Sequence, residues 1–592
     1  MRKSYCADFE TTTDINDCRV WVAGIREIYN DDSFEYEIDI ESFIENISKK
    51  VPCCIYFRNL KFDGEFLLNY MLTNGYTYSE SKKLNEKEFS CLIGERGQFY
   101  CIRIGFDNGI CEIRDSLKII NMSIADTAKA FGMDVSKGDI EYHEYRPIGY
   151  QPTKEELDYL YRDVTIDAYS LRVFFDVGLN KMTQGSDALM DFKNIIGKKN
   201  FKRRFPVLNP LVDEYCRKSY KGGFVYVSPE HKGKHIKHSG CVADVNSLFP
   251  YTMSHYKLPY GEPVYYKGKY IPNKLYDLYI CHIKCAFQIK LGYIPTIQIK
   301  HTLSFQETEY LESSNYEIVD LWLTSVDYEL FMKHYDVYNI QYIDGYCFRS
   351  MVHKEFVEYV NKWGKVKIEA GEAGNKGMRT LAKLMMNCLY GKFGTARKIR
   401  HKIPYIEEGI VKYKLSPEEE KDGIYVPVAT FITAWARYQT ISASQKIKEY
   451  SESKYGENYY LYSDTDSIHT LLSPDEVSEI LEVDDFELGK WAIESKFTEC
   501  KFLRQKCYLE TIDGKLSPTV AGLPKDMHDI VTYENFTEGT IFGNPDTKTL
   551  LKIEKKKENH FIVPAKEGKE KKRFKHVKGG VVLVPTTFQI KG

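Results

Sequence analysis

Short apolar strands alternate with longer helices along all 592 residues, without a repeat or a low-complexity tract, and this pattern limits the folds that the chain can adopt. Hydrophobic periodicity predicts a strand at 51–57, Tyr-rich strands over about 255–350, and helices at 62–72, 155–171, 379–393 and 430–450. At roughly 150 residues per domain, this length predicts several domains. The sequence therefore favours a multidomain protein of mixed α/β and α+β class.

Composition excludes two broad classes of protein. Aromatic residues make up 14% of the chain, which is too many for a disordered protein, and charged residues make up 28%, which is too many for a membrane bundle. The start, Met1-Arg2-Lys3-Ser4-Tyr5, lacks the apolar core of a signal peptide. Fifteen scattered cysteines lack the spacing of a zinc site and are expected to be reduced, buried thiols. We expect a soluble protein that is not secreted.

Charge is distributed unevenly although the net charge is only −2. Residues 551–592 contain 12 Lys and Arg against 4 Asp and Glu, so the rest of the chain is acidic. The acidic part is consistent with carboxylates that bind metal ions, and equally with solvated charged faces. Charge runs within the basic segment, such as 554–558, also fit solvated faces.

Four acids in the N-terminal third lie on three predicted elements. Asp8 and Glu10 are two residues apart on a strand and share one face, where like charges repel unless a cation lies between them. Asp63 begins the helix that follows an apolar strand, and Asp163 lies one turn after Tyr159 on a later helix. Each segment alone also fits a structural role: a polar edge strand, a helix N-cap or a solvated stripe. Their joint occurrence favours a functional site.

A second group of acids lies in the C-terminal two thirds. Asp464 and Asp466 flank Thr465 between apolar strand residues, which is the layout of a β-hairpin that carries metal ions. An acidic turn is the alternative, whereas a calcium loop is disfavoured because its Gly and terminal Glu are missing. Asp244 supplies a third acid at the end of another apolar strand.

A helix between these acids carries a polar face. Lys383, Asn387 and Tyr390 are spaced so that they project from one side and offer a cation, an amide and a ring to a single ligand. An ordinary polar stripe on a surface helix is the alternative for this helix alone.

The N-terminal segments Asp-x-Glu at Asp8, Asn-x₃-Asp at Asn59 and Tyr-x₃-Asp at Tyr159 resemble the three motifs of the DnaQ-like 3′–5′ exonucleases. The resemblance implies a DnaQ-like (RNase H-like) domain that binds two divalent metal ions. The metal ligands that it implies are Asp8, Glu10, Asp63 and Asp163. Oxygen ligands of this kind select magnesium or manganese.

The same resemblance implies further roles in this domain. Tyr159 would orient the attacking water, and Lys137 would lie beside the scissile phosphate. Contacts with a frayed single strand are implied for Thr11, Asn59, Phe62, Ser116 and Leu117. Phe62 would stack on a base.

Downstream, Asp-x₂-Ser-Leu-Phe-Pro at Asp244, Lys-x₃-Asn-x₂-Tyr-Gly at Lys383 and Tyr-Ser-Asp-Thr-Asp-Ser at Tyr462 resemble motifs A, B and C of family B DNA polymerases. The resemblance implies a catalytic centre of Asp244, Asp464, Asp466 and Lys383. The metal ligands that it implies are Asp244, Val245, Asp464 and Asp466, again for two ions of Mg²⁺ or Mn²⁺. The nucleotide-binding residues that it implies are Ser247, Leu248, Phe249, Lys383, Asn387 and Tyr390. Phe249 replaces the Tyr that is usual in motif A, and its ring is expected still to exclude a ribose 2′-hydroxyl.

Three further segments narrow the resemblance. Tyr220-Lys221-Gly222-Gly223, Thr433-Ala434-Trp435-Ala436-Arg437 and Leu503–Tyr508 make nearly the whole chain similar to the protein-primed DNA polymerases of the phi twenty-nine phage group. DNA contacts are thereby implied for Tyr220, Gly222, Gly223, Lys392, Thr433, Arg437, Lys506 and Tyr508. Phosphate contacts from Lys392, Arg437 and Lys506 would position the duplex without reading its sequence.

This resemblance implies a domain layout. An exonuclease domain would occupy residues 1–187, and a right-hand polymerase would occupy residues 188–592. Within the polymerase, the palm would lie at about 188–255 and 427–538, the fingers at about 356–394 and the thumb at about 539–592. A first insertion would lie at about 256–355 and a second at about 395–426. The first insertion would dock a priming terminal protein, and the second would close a tunnel around the template. Residues 404–406 and 423–426 are predicted to be the two strands of a hairpin in the second insertion.

The expected function is that of a replicative DNA-dependent DNA polymerase with proofreading, protein-primed initiation, strand displacement and high processivity. A family B polymerase that uses only nucleic-acid primers is the alternative. Expected partners are template and primer DNA, deoxynucleoside triphosphates and a terminal protein, with which a monomeric polymerase would form a heterodimer at initiation. The expected location is the cytoplasm of an infected bacterial host.

Overall fold

The computed structural model describes residues 2–133, 144–298, 310–545, 561–566 and 568–591. Across these ranges, no helix combines the length and the apolar character needed to cross a membrane. The fifteen cysteines are free thiols and most are buried, as the sequence predicted.

An eight-stranded sheet forms the N-terminal part of the molecule, in the order β3-β2-β1-β4-β8-β7-β6-β5. Its strands are β1 (Lys3–Thr11), β2 (Val20–Glu27), β3 (Glu35–Glu37), β4 (Cys53–Phe57), β5 (Thr77–Tyr78), β6 (Glu88–Ile93), β7 (Phe99–Phe106) and β8 (Gly109–Asp115). The helices that pack with it are α1 (Ile40–Ser48), α2 (Leu60–Thr73), α3 (Ile124–Ala130) and α4 (Lys154–Asp176). The central strands β1, β4 and β8 are parallel, so helices can cover both of their faces.

The alternation of side chains along β1 decides where its acids point. Phe9 packs with Phe43 and Phe57, each at a ring-centre distance of 4.9 Å, on the face covered by α1 and α2. Cys6 lies on the opposite face, in the core that includes Val164 of α4. Because successive residues alternate, Asp8 and Glu10 point with Cys6 toward α4.

Four helices and two short strands follow, and each of the two strands pairs with strands from later in the chain. They are α5 (Gln184–Ile196), α6 (Lys198–Arg204), α7 (Pro210–Ser219), β9 (Val225–Val227), β10 (Gly240–Val245) and α8 (Leu248–His255). The domain limit predicted between residues 187 and 188 falls inside α5.

An antiparallel sheet of order β11-β16-β12-β15 occupies most of the predicted first insertion. The elements of this segment are β11 (Leu258–Lys267), β12 (Leu278–Ile289), β13 (Ile297–Gln298), β14 (Tyr310–Leu311), β15 (Val319–Thr324), α9 (Ser325–His334) and β16 (Tyr335–Met351). The Tyr-rich strands predicted for 255–350 are therefore confirmed.

Two long helices pack side by side after this sheet, and a small hairpin separates them from a third. The elements are α10 (Lys354–Glu372), α11 (Lys376–Phe393), β17 (Lys398–Ile399), β18 (Lys402–Glu407), β19 (Ile410–Leu415), β20 (Glu419–Glu420) and α12 (Val426–Tyr455). The prediction that 423–426 is the second strand of the hairpin was wrong. The partner of β18 is β19, because a two-residue turn with Glu408 and Gly409 at positive φ joins them, whereas Val426 already begins α12.

A second large sheet, of order β25-β24-β23-β10-β22-β21-β9, holds the C-terminal acids. Its remaining elements are β21 (Tyr460–Asp464), β22 (Ser467–Thr470), α13 (Pro474–Ile480), β23 (Trp491–Arg504), β24 (Cys507–Ile512) and β25 (Lys515–Val520). Helix α12 lies against this sheet, where Ile441, Ala443 and Ile447 share a core with Ile468 and Trp491.

The described residues of the C-terminal segment form short strands. They are β26 (Ile541–Phe542), β27 (Ile562–Val563), β28 (Lys572–Val577), β29 (Gly580–Pro585) and β30 (Phe588–Gln589). Strands β28 and β29 form a hairpin, in which Val577 pairs with Gly580 across a tight turn.

Helix α2 is the meeting point of the N-terminal domain with two hairpins from distant parts of the chain. Val411 of β19 and Val577, Val581 and Val582 of the β28–β29 hairpin lie in the same core as Phe66. The buried Glu65 accepts a hydrogen bond from Tyr413 Oη to Oε2 at 2.7 Å and lies 3.1 Å from His576 Nε2 through Oε1. Polar and apolar contacts thus hold both hairpins against α2.

Candidate active sites

The first acidic set consists of Asp8, Glu10, Asp63 and Asp163. Asp8 and Glu10 lie on β1, Asp63 lies in the first turn of α2, and Asp163 lies on α4, which packs against β1. Their charges act on one another: Asp63, Glu10 and Asp163 all raise the pKa of Asp8. The structure therefore brings together the four acids that the sequence selected.

Burial is the largest cause of the raised pKa values in this set, and like charge adds to it. The pKa of Asp8 is raised well above its ordinary value. Burial and the neighbouring Asp163 and Asp63 raise the pKa of Glu10 to about 8, and the guanidinium of Arg146 acts to lower it. The pKa of Asp63 is also raised to about 8, mainly by burial. Carboxylates whose ionisation is disfavoured by burial and by like charge are suited to neutralisation by bound cations.

The other predicted residues of this site have different surroundings. Tyr159 lies one turn before Asp163 on α4 and is 8% exposed. Lys137 lies outside the described residues. Thr11 ends β1 and is half-buried.

Asp115 organises the loops that were predicted to hold a single strand. Its Oδ1 accepts hydrogen bonds from the backbone N–H of Asn59 at 3.1 Å and of Leu117 at 3.0 Å. Asn59 has a φ of 62°, a left-handed conformation that is uncommon outside glycine and is often found at functional sites.

Two of the predicted strand-binding side chains contact protein. Ser116 is fully buried, and its hydroxyl donates to Asp167 Oδ2 at 2.7 Å, so the predicted DNA contact of this side chain does not fit its position. Phe62 lies 6.1 Å from Phe574 of β28 and 5.5 Å from Phe66, measured between ring centres. The ring of Phe62 thus packs both against its own helix α2 and against the β28–β29 hairpin.

The second acidic set consists of Asp244, Asp464 and Asp466. In the sheet, Ser467 of β22 lies opposite Asp244 on one side and Asp464 on the other. Asp466 lies in the tight turn between β21 and β22, and its carbonyl accepts the backbone N–H of Val245 at 2.8 Å. Adjacent interior strands of the sheet therefore hold the three carboxylates close together at one end of these strands.

Cations offset part of the charge of the second set. The Asp464 carboxylate accepts hydrogen bonds from Lys506 Nζ at 2.9 and 3.1 Å, and from Tyr462 Oη at 3.0 Å. Burial, and then Asp466, raises the pKa of Asp244 to about 7, while Lys383 acts to lower it. Burial is also the largest cause of the raised pKa of Asp466.

Sequence reasoning missed a further acid at this site, Glu494. Its charge raises the pKa of both Asp244 and Asp466, so it lies within their electrostatic reach. In the pairing of β10 with β23, Val242 faces Ser495 and Ala243 faces Ile493, which leaves Glu494 as the extra residue of a β-bulge. Bulges commonly redirect a side chain beside an active site, and nothing in the strand pattern of the sequence marked this one.

A pocket of mixed chemistry lies beside the second set. Phe249 of α8 stacks on Tyr390 of α11 with ring centres 4.0 Å apart and an interplanar angle of 18°. Lys383 and Asn387 are exposed on the same face of α11, as the helical spacing predicted. Ser247 begins α8 with a φ of 56°, and Leu248 is buried beneath it. The arrangement offers an amide, a cation and two rings to one ligand.

The loop at 220–223 packs directly on the acidic turn. A Cβ at Gly223 would lie 2.6 Å from Thr465 Cγ2, so only glycine fits there. The ring of Tyr220 lies against Gly394, where a Cβ would be 2.5 Å from its Oη. Gly222 has open space around its Cα, which leaves its backbone accessible.

Arg437 is buried and hydrogen-bonds to the backbone of the loop at 220–223, which corrects the prediction that it contacts a phosphate. It is 1% exposed, pairs with Asp327 through two guanidinium nitrogens, and donates to the carbonyls of Lys221 and Gly222 at 3.1 and 2.8 Å. Thr433 is 2% exposed, and its hydroxyl donates to the Ala429 carbonyl, so its predicted DNA contact does not fit either. Lys506 and Lys392 retain exposed surface, and Tyr508 packs 5.2 Å from Tyr462.

The donor chemistry of both sets fits divalent metal ions with a preference for oxygen ligands. Asp63 Oδ1 is buried and has no hydrogen-bond partner among the described residues, as expected of an atom that binds a cation. Within the described ranges, no three Asp, Glu, His or Cys side chains already form a closed metal-binding group.

Comparison with known proteins identifies similar chains over the whole length. A family model described as DNA polymerase type B, organellar and viral, matches residues 44–151 and 139–479. The DNA polymerase of Bacillus phage phi29 is 41% identical over 605 aligned residues, which cover 100% of this chain and 99% of that protein. The DNA polymerase of Streptococcus phage Cp-1 is 34% identical, with coverage of 99% and 98%.

Solved structures are similar over the same length. Phi29 DNA polymerase with primer-template DNA and incoming nucleotide matches with a TM-score of 0.87 at 39% identity, and the match covers 100% of both chains. The post-translocation complex with primer-template DNA matches with a TM-score of 0.89 at 38% identity.

Proposed function

The chain belongs to the type B DNA polymerases of viruses and organelles, and from this premise we propose that it replicates DNA from a protein primer, proofreads with a 3′–5′ exonuclease and displaces the strand ahead of it. The predicted resemblance to the phi29 group and the predicted fold, an exonuclease domain with palm, fingers and thumb, are both confirmed by the full-length match. The domain limits given above from the sequence remain part of the proposal.

One observation carries the polymerase assignment at the level of chemistry. Asp244 and Asp466 lie close together at the end of neighbouring strands, and Lys383 and the Phe249–Tyr390 stack lie beside them. Acids for metal ions, a cation for phosphates and rings for a base and sugar are the groups that nucleotidyl transfer requires.

When bound, two Mg²⁺ or Mn²⁺ ions would align the primer 3′-oxygen with the α-phosphate and stabilise the leaving pyrophosphate. Asp244, Asp466 and the Val245 carbonyl would hold these ions, and Asp464 would support them through its hydrogen bonds to Lys506 and Tyr462. Lys383 would neutralise the triphosphate as a point charge. The backbone N–H groups of Ser247 and Leu248 would orient the β- and γ-phosphates.

Phe249 would select deoxyribose by shape. Its ring is fixed by stacking on Tyr390, so a 2′-hydroxyl on the incoming sugar would collide with it. The test is competition between ribonucleotides and deoxynucleotides in the wild type and in Phe249→Ala. Unchanged discrimination in the variant would refute this assignment.

The first acidic set is proposed to be the exonuclease centre. Asp8, Glu10, Asp63 and Asp163 would hold two further ions, Tyr159 would orient the attacking water, and Lys137 would lie beside the scissile phosphate. Support comes from the convergence of the four acids and from Asp63 Oδ1, which has no hydrogen-bond partner in the part of the chain that the structure describes. Release of deoxynucleoside monophosphate from the 3′ end of a single strand is the activity to measure.

Protein-primed initiation is proposed from the similarity to phage polymerases, with the β11-β16-β12-β15 sheet as the docking surface for a terminal protein. The alternative is an enzyme of the same family that extends only nucleic-acid primers. Template-dependent transfer of a deoxynucleotide to a hydroxyl group of a partner protein separates the two, because only the first enzyme forms that bond.

The most informative test of the whole proposal is extension of one primer on a circular single-stranded template. Products much longer than the circle would establish synthesis coupled to strand displacement. Products that stop after one circuit would refute strand displacement while leaving polymerase activity intact.

A further inference from the structure

A strongly basic helix lies outside both acidic sets. Helix α6 contains five cations in seven residues and no acidic residue. Arg204 pairs with Glu355, whereas Lys198, Lys199, Lys202 and Arg203 are exposed and have no ion pair within the described ranges. We call these four residues the α6 patch. The chain as a whole carries a net charge of −2, so this local excess of positive charge calls for a local partner.

The α6 patch is held rigidly, unlike a mobile basic tail. Phe201 and Phe205 of α6 are 6% and 2% exposed. The ring of Phe201 lies 6.3 Å from that of Phe393 at the end of α11, and the ring of Phe205 lies 5.3 Å from it. Because these rings fix α6 to the helix that carries Lys383 and Tyr390, the cations have defined positions relative to the polymerase pocket.

Two further cations connect the patch with that pocket. Lys193 of α5 places its Nζ 4.6 Å from the Phe201 ring centre. Burial of Lys392 lowers its pKa, and the positive charge of Lys193 lowers it further, so the two amines are neighbours. Lys392 lies two residues after Tyr390, whose ring stacks on Phe249. Positive charge therefore extends from the nucleotide pocket, through Lys392 and Lys193, to the outer surface of α6.

We propose that the α6 patch binds the single-stranded template on its way to the polymerase site. This inference rests on the proposed polymerase function, since only a polymerase needs to guide a template. The primer ends at the nucleotide pocket, so the strand that continues beyond the pocket is the template. The exposed residues of α6 are the four cations of the patch and Asn200, with no aromatic ring among them, and the cations would contact phosphates without reading bases.

The test compares primer-templates that differ only in the length of the 5′ template overhang. Overhangs of about 4 and about 16 nucleotides span the range of known single-strand sites. A phosphorothioate 3′ end on the primer prevents its degradation. The quadruple variant Lys198→Ala, Lys199→Ala, Lys202→Ala, Arg203→Ala should bind the long-overhang DNA roughly tenfold more weakly, and the short-overhang DNA as tightly as the wild type. The slope of log Kd against log salt for the long overhang should fall by up to about 3.

A matched variant controls for the loss of charge as such. Lys82, Lys83, Lys87 and Lys446 are exposed lysines far from α6 in sequence, and no ion pair is found for them in the described part of the chain. Their replacement by Ala removes the same net charge and should leave the dependence on overhang length unchanged. A second variant, Lys198→Arg, Lys199→Arg, Lys202→Arg, should retain wild-type binding because it retains the cations.

Three results would overturn the inference. The two quadruple variants could weaken DNA binding equally, or the loss of binding could be the same for both overhang lengths. On forked DNA, a loss of binding that occurs only when a displaced strand is present would also refute it. Equal thermal midpoints of the proteins would show that the variants fold. Primer extension on the short-overhang template separates this inference from the proposed function. If the wild type fails to extend that primer, the polymerase assignment fails, whereas normal extension without an overhang effect refutes only the role of the α6 patch.

Discussion

The two acidic sets contain the same kind of side chain in different surroundings. In the first set, burial and mutual repulsion raise the pKa of Glu10 and Asp63 to about 8. Arg146 acts to lower the pKa of Glu10, but its guanidinium is already hydrogen-bonded to Glu156. In the second set, Lys506 contacts Asp464 directly and Lys383 acts on Asp244, whose pKa is raised only to about 7. The first set therefore depends more strongly on metal ions for its neutralisation, while lysines already neutralise part of the second.

The largest expected effect is a reciprocal loss of the two activities. Asp244→Asn should reduce primer extension by at least about 10³-fold and leave degradation of a single strand unchanged, because the variant removes a proposed metal ligand from the second set alone. Asp63→Asn should do the reverse. Extension and nucleotide release are measured on the same DNA. Loss of both activities in either variant would mean that the two sets are not independent sites.

Lys506→Met is expected to weaken extension by about 10- to 100-fold, since it removes a charged hydrogen bond from Asp464 and a cation from the primer region. The same change should lower the Mg²⁺ concentration needed for half-maximal rate, because the second set then carries more uncompensated negative charge. Lys515→Met, an exposed change on β25, is the matched control. An unchanged Mg²⁺ requirement would show that Lys506 does not neutralise this set.

Glu494→Gln is expected to raise the Mg²⁺ concentration for half-maximal extension by about tenfold, as is typical when a carboxylate that supports a metal site is lost. Glu499→Gln on the same strand, where Glu499 contacts His235 at the surface, is the control. Equal metal titrations for the two variants would place Glu494 outside the functional site.

The smallest expected effect is on stability. Because folding raises the pKa of Glu10 and Asp63, the metal-free folded protein holds more protons than the unfolded chain between about pH 4 and pH 8, so its stability falls as the pH rises through this range. The thermal midpoint should fall by a few degrees between about pH 5 and pH 8. The fall should be smaller in Asp8→Asn with Asp63→Asn, and added Mg²⁺ should reverse it in the wild type. Parallel pH profiles of the variant and the wild type would contradict this explanation.

Local sequence patterns predicted the features that depend on local geometry. The periodicity at 62–72 and 155–171 predicted α2 and α4, and the two-residue spacing of Asp8 and Glu10 predicted their common face on β1. The helical spacing of Lys383, Asn387 and Tyr390 likewise predicted a shared face. Such spacings have the same consequence in any fold, which is why they can be read without a structure.

Features that depend on contacts between distant segments could not be predicted in this way. Glu494 enters the second site through a bulge that exists only when β23 pairs with β10. Arg437 has the residue type of a phosphate ligand, yet the buried Asp327 pairs with it and directs it to the loop at 220–223. The second strand of the hairpin at β18 was misplaced because Ile424 and Tyr425 are as apolar as strand residues.

The contact between α2 and the β28–β29 hairpin has a consequence for the biosynthesis of the protein. Val577, Val581 and Val582 complete a core whose other members, such as Tyr5 and Phe66, emerge from the ribosome first. Domains generally fold as they are synthesised, from the N-terminus onward. Here the N-terminal domain keeps an apolar face of α2 open to water until residues 577–582 have been made, so its final packing waits for a segment about 500 residues further along the chain.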